Sequence, residues 1–405
     1  MILTTCAVCA APLAGDAPAA PAHCVNCQTR YCSDRCQRYD RRRGGHGKIC
    51  GAIASGGGAE QYHADKNYKE AVAVAVEKCA DDTKGQTCFI CTQALHWKTK
   101  EGLVRGCSCR GTSGFAHVSC LAEQVKILVA EAEENNLGDD AFNARWVRWH
   151  ACSLCEQHYH GVVRCALGWA CWKTYLGRPK ADWSRGAAMN MLGQALYRCS
   201  GKDALTVFEA QLDWEQRLPS FDSDDDDVLN LQGNIADCYY DLKRYGDSIT
   251  LRRACYNKRL AKYGPMDALV IGDALSIALS LVEDYFFEEA KTLLRDLIPK
   301  AESVLGNQHQ NTLVVRELYA KALYKHCDAN LAEVREAIAT LEDVHRMARQ
   351  VFGSSHPNCR SAVYHLANAR ERLSLQEAYE ARLVEDASEK LAQGLRIDCD
   401  ESEAP

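Results

Sequence analysis

The chain has little that would place it in a membrane. None of its 405 residues forms an apolar run near the length needed to span a bilayer, and the longest candidate, Ala71 to Val76, is far too short. The N-terminus MILTTCAVCAAPLAGD is apolar but has no basic segment, and Pro12 and Asp16 interrupt it. A secretory signal is therefore not expected. Catalytic signatures are missing as well. There is no GxxxxGK[ST], no dinucleotide fingerprint, no GxSxG and no HExxH. Charge of one sign is not in excess: the formal net charge is −6, which does not mark the whole chain as a nucleic-acid binder. Charged residues make up 25% and apolar residues 47%, as in ordinary globular proteins. These absences point to an intracellular chain, cytoplasmic or nuclear, with no membrane partner.

What is abundant is cysteine. There are 23, fifteen of them within the first 155 residues. In a reducing compartment, clustered cysteines bind metal more often than they form disulfides. The first cluster reads Cys6-x2-Cys9, Cys24-x2-Cys27, Cys32-x3-Cys36 and His46-x3-Cys50. Zn²⁺ takes four tetrahedral ligands, and a gap of two or three residues lets one turn present both to one ion. Seven thiols and one imidazole thus fill two closed sites with no position left for a reactive water. About 50 residues cannot bury enough core alone, so folding of this piece leans on metal.

The segment YCSDRCQRYD followed by His46 and Cys50 resembles the MYND zinc finger. The resemblance implies interleaved sites, Cys6, Cys9, Cys32 and Cys36 for one ion and Cys24, Cys27, His46 and Cys50 for the other. It also implies a surface that docks short proline-rich peptides; the plainer alternative is a zinc-stapled cap without a partner. Two stretches depart from the pattern, the long Ala/Pro-rich span from Cys9 to Cys24 and an insertion at Arg41 to Gly45. Residues 30 to 48 carry seven Lys/Arg against two Asp, which reads as a solvated basic face rather than a nucleic-acid site. SET-and-MYND methyltransferases also need a SET domain, and its Asn-His-Ser-Cys motif is absent.

Gly51 to Gly58 reads as a flexible linker, and residues 60 to 80 as a helix, with alternating Val72, Val74 and Val76 leaving a strand open. The second cluster follows: Cys88-x2-Cys91, Cys107-x-Cys109, His117-x2-Cys120 and Cys152-x2-Cys155. Again eight ligands stand in four pairs. The stretch CSCRGTSGFAHVSCL and the ending CSLCEQHYH, with Tyr159 four residues after the last ligand, resemble the RING-CH (RING variant) finger. By that resemblance Cys88, Cys91, His117 and Cys120 hold one ion, and Cys107, Cys109, Cys152 and Cys155 the other, for four Zn²⁺ in all. RING-type modules bind a ubiquitin-charged E2 and hold its thioester in a reactive pose. The resemblance places that contact at Ile90 and Leu154, which could equally be small-core residues. It also exposes three departures. Gln124 stands where the family carries Trp, 31 residues separate Cys120 from Cys152, and Glu156 follows the last ligand. Trp146 and Trp149 are candidates to replace the missing Trp, and His150, His158 and His160 flank the last pair.

Beyond residue 160 the pattern is helical and repeats. Ala236, Ala278 and Ala320 are 42 apart, as are Gly264 and Gly306. The next unit slips to 47 at both Ala320 to Ala367 and Gly306 to Gly353, the extra length falling in HCDANLAEV. Two landmarks slipping together mark a true repeat. Gly306-Asn-Gln-His309 and Gly353-Ser-Ser-His356-Pro357 resemble the inter-repeat turns of kinesin-light-chain-like tetratricopeptide repeats. That resemblance implies stacked helical hairpins whose groove takes a peptide or protein. The expected organisation is a MYND-type finger (1–50), a linker and helix (51–84), a RING-CH-type finger (85–160), a connecting helix (161–185), helical repeats (186–385) and an acidic tail (386–405) whose end, DCDESEAP, is expected to be disordered. The fold class is mainly α, two small zinc-stapled fingers followed by a helical solenoid. Two functions remain open: an E3 ubiquitin ligase that selects substrates through the first finger and the repeats, or a non-catalytic adaptor.

Overall fold

In the computed structural model the described residues are 6–9, 13, 22–179 and 182–400, with side chains described up to residue 389. Most of the span from Cys9 to Cys24 lies outside them, as do residues 401–405. The fold is mainly α, with a Cys-rich N-terminal portion followed by helical hairpins. The chain forms two compact units, residues 1–242 and 243–405.

The first unit begins with two short strands, β1 (Ala22–His23) and β2 (Arg30–Tyr31), paired antiparallel with Ala22 opposite Tyr31. Helix α1 (Asp34–Tyr39) starts at Ser33, whose hydroxyl accepts from the Cys36 amide, and runs into a π-turn at Asp40–Gly44. That turn absorbs the Arg41–Gly45 insertion, and Gly45 ends it at φ +84°. Helix α2 (His46–Ser55) follows at once. The segment expected to be a flexible linker is therefore mostly helical. Ile53 is buried against Cys27 and Ala59, and that contact orders a glycine-rich stretch that composition alone marks as loose.

Helix α3 (Ala59–Cys79) settles the helix-or-strand alternative at residues 60 to 80. It buries Ala64, Tyr68, Val72, Ala75 and Cys79 along one helical stripe, with exposed Val74 off that stripe. Helix α4 (Val118–Glu134) and α5 (Asp139–Trp146), with a 3-10 turn at Val147–Trp149, fill the long span between Cys120 and Cys152. Helix α6 (Gly161–Tyr175) is apolar nearly all round and packs against α3 and α4. Lys173 on α6 pairs with Asp65 at 2.9 Å and lies over the Tyr68 ring on α3. Helices α7 (Trp183–Tyr197), α8 (Gly201–Glu215) and α9 (Asp226–Asp241) complete this unit. Glycines let the α6–α7–α8 backbones approach: a Cβ on Gly168 would meet the Ala195 Cβ at 2.6 Å, and one on Gly193 would meet the Phe208 ring at 2.4 Å. Cys165 on α6 and Cys199 just after α7 form a disulfide. The antiparallel run of α6 and α7 brings the two ends together. The acidic loop before α9 acts as a cap, with Asp225 accepting from the Asp227 amide.

The second unit contains α10 (Tyr245–Tyr263), α11 (Ala268–Glu283), α12 (Phe287–Leu305), α13 (Gln310–Lys325), α14 (Leu331–Phe352) and α15 (Pro357–Asp400). One buried cluster runs through it, including Ile271, Leu281, Leu294, Leu323 and Leu341. The repeat landmarks have a backbone cause. Gly264, Gly306 and Gly353 follow α10, α12 and α14 with φ of +79°, +93° and +86° and ψ near extended, a combination open essentially to glycine alone. Three residues later Asp267 and His309 each accept a capping hydrogen bond for the next helix, and His356 accepts one from the Asn358 amide in the same way. Ala236, Ala278 and Ala320 are fully buried. Ala367, at the same place in the repeat, is exposed, because among the described residues no further helix follows α15 to cover it. Helix α15 runs through residues 386–400 of the acidic tail, and its last residues, Asp398 to Asp400, belong to the terminal stretch expected to be disordered.

Candidate metal centres

Four groups of Cys/His ligand atoms converge in the first unit. They are Cys6, Cys9, Cys32 and Cys36; Cys24, Cys27, His46 and Cys50; Cys88, Cys91, His117 and Cys120; and Cys107, Cys109, Cys152 and Cys155. Within each group all ligand atoms lie within 4.8 Å of one another. The separations have the size of tetrahedral edges. Cys9 and Cys32 sulfurs are 3.5 Å apart, Cys32 and Cys36 3.6 Å, Cys24 and Cys50 3.6 Å, and Cys109 and Cys152 3.8 Å. Four thiolates at 2.3 Å from one Zn²⁺ stand about 3.8 Å apart, nearly twice a disulfide bond. His46 turns Nε2 to Cys27 at 3.5 Å, whereas His117 turns Nδ1 to Cys91 at 3.4 Å and Cys120 at 3.5 Å.

Local backbone explains how short spacings make these sites. Three of the CxxC pairs form the same knuckle. The amides of Gln28, Thr92 and Glu156 return to the carbonyls of Cys24, Cys88 and Cys152 at 2.8 to 3.0 Å. Each of those residues sits at φ near +60°, left-handed without being glycine. The Ile90 and Leu154 amides point at the Cys88 and Cys152 sulfurs, both at 3.4 Å. Such amides stabilise a thiolate.

Electrostatics shows that each group calls for a cation. Burial raises the Cys6 thiol, but amides of Cys32, Cys9 and Val8 outweigh it and bring it down to about 6. Cys32 is pushed up to about 12 by hydrogen bonding with Cys9 and Cys36. In the second group, burial raises Cys24 while His46 and backbone amides bring it down to about 6, and burial holds Cys27 up. The third group shows the same opposition, with Cys91 lowered by amide and thiol hydrogen bonds against burial, and Cys120 raised by burial and the neighbouring thiols. In the fourth, Cys155 comes down to about 7 through backbone amides against burial, while burial pushes Cys107 up to about 11. One thiolate per group suppresses ionisation of its neighbours; a bound divalent cation removes that conflict. The donor sets, three or four thiolates with no carboxylate, suit Zn²⁺, and the four groups are compatible with zinc binding.

Supporting groups complete the sites, and several carry no signature in the sequence. Asp40 Oδ2 lies 3.7 Å from His46 Nδ1 and accepts from the Tyr31 hydroxyl at 2.9 Å, a carboxylate–histidine pair that orients the ring. The Ala94 carbonyl plays that part for His117, 3.4 Å from Nε2. Gly114, at φ +83°, lies against the CxC pair of the fourth group: a Cβ there would meet Cys109 Cβ at 2.6 Å and the Cys107 sulfur at 3.1 Å.

The flanking histidines do not join these groups. His150 and His158 stack edge-on on each other at 4.9 Å, and burial followed by the His158 charge holds His150 down to about 4. Cys79 is buried with its thiol toward the Arg105 carbonyl. Ile90 is 37% exposed and Leu154 51% exposed, at matching positions of two knuckles. Trp149 is fully buried, and Trp146 packs among Phe142, Tyr175 and Trp183. Exposed Leu95 and Trp97, in the loop after the first knuckle, were not singled out by sequence. Spacing carries no signal for them.

A RING-variant domain matches residues 88–138. No curated protein matches. Among solved structures, BtubC (BKLC) from P. vanneervenii is similar at 12% identity and a TM-score of 0.42, over 68% of this chain and 91% of that one. A kinesin light chain protein with nearly identical TPR-like repeats from Podosopora anserina is similar at 18% identity and a TM-score of 0.41, over 55% of this chain and 100% of that one. No helix among the described residues is long and apolar enough to cross a membrane.

Proposed function

We propose that this chain is a RING-CH-type E3 ubiquitin ligase, in which four structural Zn²⁺ ions hold the two fingers and the helical repeats select proteins for modification. The observation that carries this reading is the pair Ile90 and Leu154. Both are apolar, both are exposed, and each stands on a knuckle of the segment that begins in the RING-variant match. An E2 seated across them would have its thioester held in a narrow range of poses, which is catalysis by positioning without a nucleophile of this chain. Bound zinc supplies rigidity only, since every group has four ligands and no open position. On this reading the first finger, of MYND type, docks a proline-rich peptide, and the repeats hold a peptide or protein in their groove.

The test is autoubiquitination of the full chain with a panel of E2 enzymes. Chains are expected with at least one E2. Ile90→Ala and Leu154→Ala should abolish them with zinc content unchanged. No chains with any E2 would overturn the ligase reading. One observation favours the second reading, an adaptor without transfer activity. Gln124 stands where the RING-CH family carries Trp, and neither Trp149, which is fully buried, nor Trp146, which is packed among aromatics, takes over that place.

A further inference from the structure

The turn between α13 and α14 differs from its counterpart one repeat earlier. The turn from α11 to α12 takes three residues, with Tyr285 at φ +64°. From α13 to α14 it takes five, residues 326–330, and His326 is extended at ψ 134°. Two of the five residues by which the repeat lengthens from 42 to 47 lie in this turn, and the other three extend α14 to 22 residues against 19 for α12. The added length places three different metal-binding donors side by side. One ligand atom each from His326, Cys327 and Asp328 lies within 4.8 Å of the other two.

We propose that this turn is a further metal-ion site, taking a borderline divalent cation of the Zn²⁺ class through the His326 imidazole, the Cys327 thiolate and the Asp328 carboxylate. Nitrogen, sulfur and oxygen donors together suit such a cation better than Ca²⁺ or Mg²⁺, which take oxygen alone. The backbone that carries the ligands is already held. The Ala329 amide donates to the His326 carbonyl at 3.2 Å, Arg372 on α15 donates to the Cys327 carbonyl at 3.0 Å, and Gln376 donates to the Ala329 carbonyl at 2.8 Å. Asn330 and Glu333 close the turn with a reciprocal capping box. Little ordering of the main chain is then left for the ion to impose. The imidazole is oriented too: Nε2 is 3.5 Å from the Glu288 carboxylate, and the ring stands edge-on to Phe287 at 6.1 Å. A carboxylate beside a ligating histidine is the usual means of fixing its ring. Cys327 and Asp328 are exposed, so their side chains can turn to the common distance of about 2.0 to 2.3 Å that the ion requires. Three protein ligands leave a fourth position for water or a donor from a bound partner. The site is open and exchangeable where the finger sites are closed.

The experiment is a Co²⁺ titration of the full, zinc-loaded, reduced chain, monitored by thiolate-to-cobalt absorption and by elemental analysis. One added Co²⁺ per chain is expected without release of zinc. Cys327→Ser and His326→Ala should each lose that added ion while retaining zinc and helical content. The proposal is overturned if wild-type chain binds no added Co²⁺, if the variants bind as much as wild type, or if cobalt enters only as zinc leaves.

Discussion

The two compact units solve one problem by different means. Residues 22–155 contain modules whose strands are two residues long, and there the sulfur clusters stand beside a thin apolar core contributed by helices α3 and α4. Residues 249–373 carry a continuous apolar cluster spread over stacked helices. The lesson is where cooperativity resides: a metal site concentrates it in four side chains, whereas helical packing spreads it over dozens.

Chelation should break the comparison most sharply. Structural zinc contributes on the order of 10 kcal/mol or more per site. Stripping the chain with a strong chelator should remove amide-exchange protection throughout residues 22–155 and leave that of α10 to α14 in place. Equal loss in both regions would show that the second unit depends on the first. Next in size is Gly114→Ala. Its Cβ has no room beside Cys107 and Cys109, and the backbone there is left-handed. One zinc per chain should be lost, read by elemental analysis; full zinc content would mean that the glycine is dispensable. In the second unit Leu294→Ala, at a fully buried position, should cost about 3 kcal/mol in urea unfolding without altering zinc content. The smallest effect concerns pH. Burial, followed by the charges of Lys321 and Lys325, holds His365 down to about 4, so the folded chain keeps it neutral where the unfolded chain takes up a proton. The unfolded value is near 6.5, so this contribution is whole above that pH and is lost as pH falls toward 4. Partial solvent screening leaves about 1 kcal/mol of it. A His365→Phe variant should flatten the dependence of the urea midpoint over that range; an unchanged slope would remove His365 from the account.

What could be read from the sequence follows from distance along the chain. Short-range pairs such as Cys88-x2-Cys91 announce themselves, because a single turn makes the geometry. The repeat was legible through Gly264, Gly306 and Gly353, since only glycine accepts that backbone. Asp40 behind His46 and the Ala94 carbonyl behind His117 were not legible, because orienting a ring needs only an oxygen in the right place, and many residues supply one. Order in α2 was hidden because Ile53 gains its partners, Cys27 and Ala59, from elsewhere in the fold. The far end of α15 was hidden for a related reason: an acidic composition suggests disorder, yet nothing in it forbids continuation of a helix already begun.

Helix α3 has a consequence beyond packing. At its start the Ala59 amide donates to the Cys27 carbonyl in the first finger, and Glu60 bridges Arg30 and Arg185. At its end the Cys79 thiol donates to the Arg105 carbonyl, beside the second finger's CxC pair. Its 21 residues span about 32 Å at 1.5 Å each. The helix is therefore a ruler: it holds the first finger's ligand groups at a fixed reach from the second finger's, and one inserted turn would lengthen that reach by about 5 Å while leaving both sets of ligands untouched.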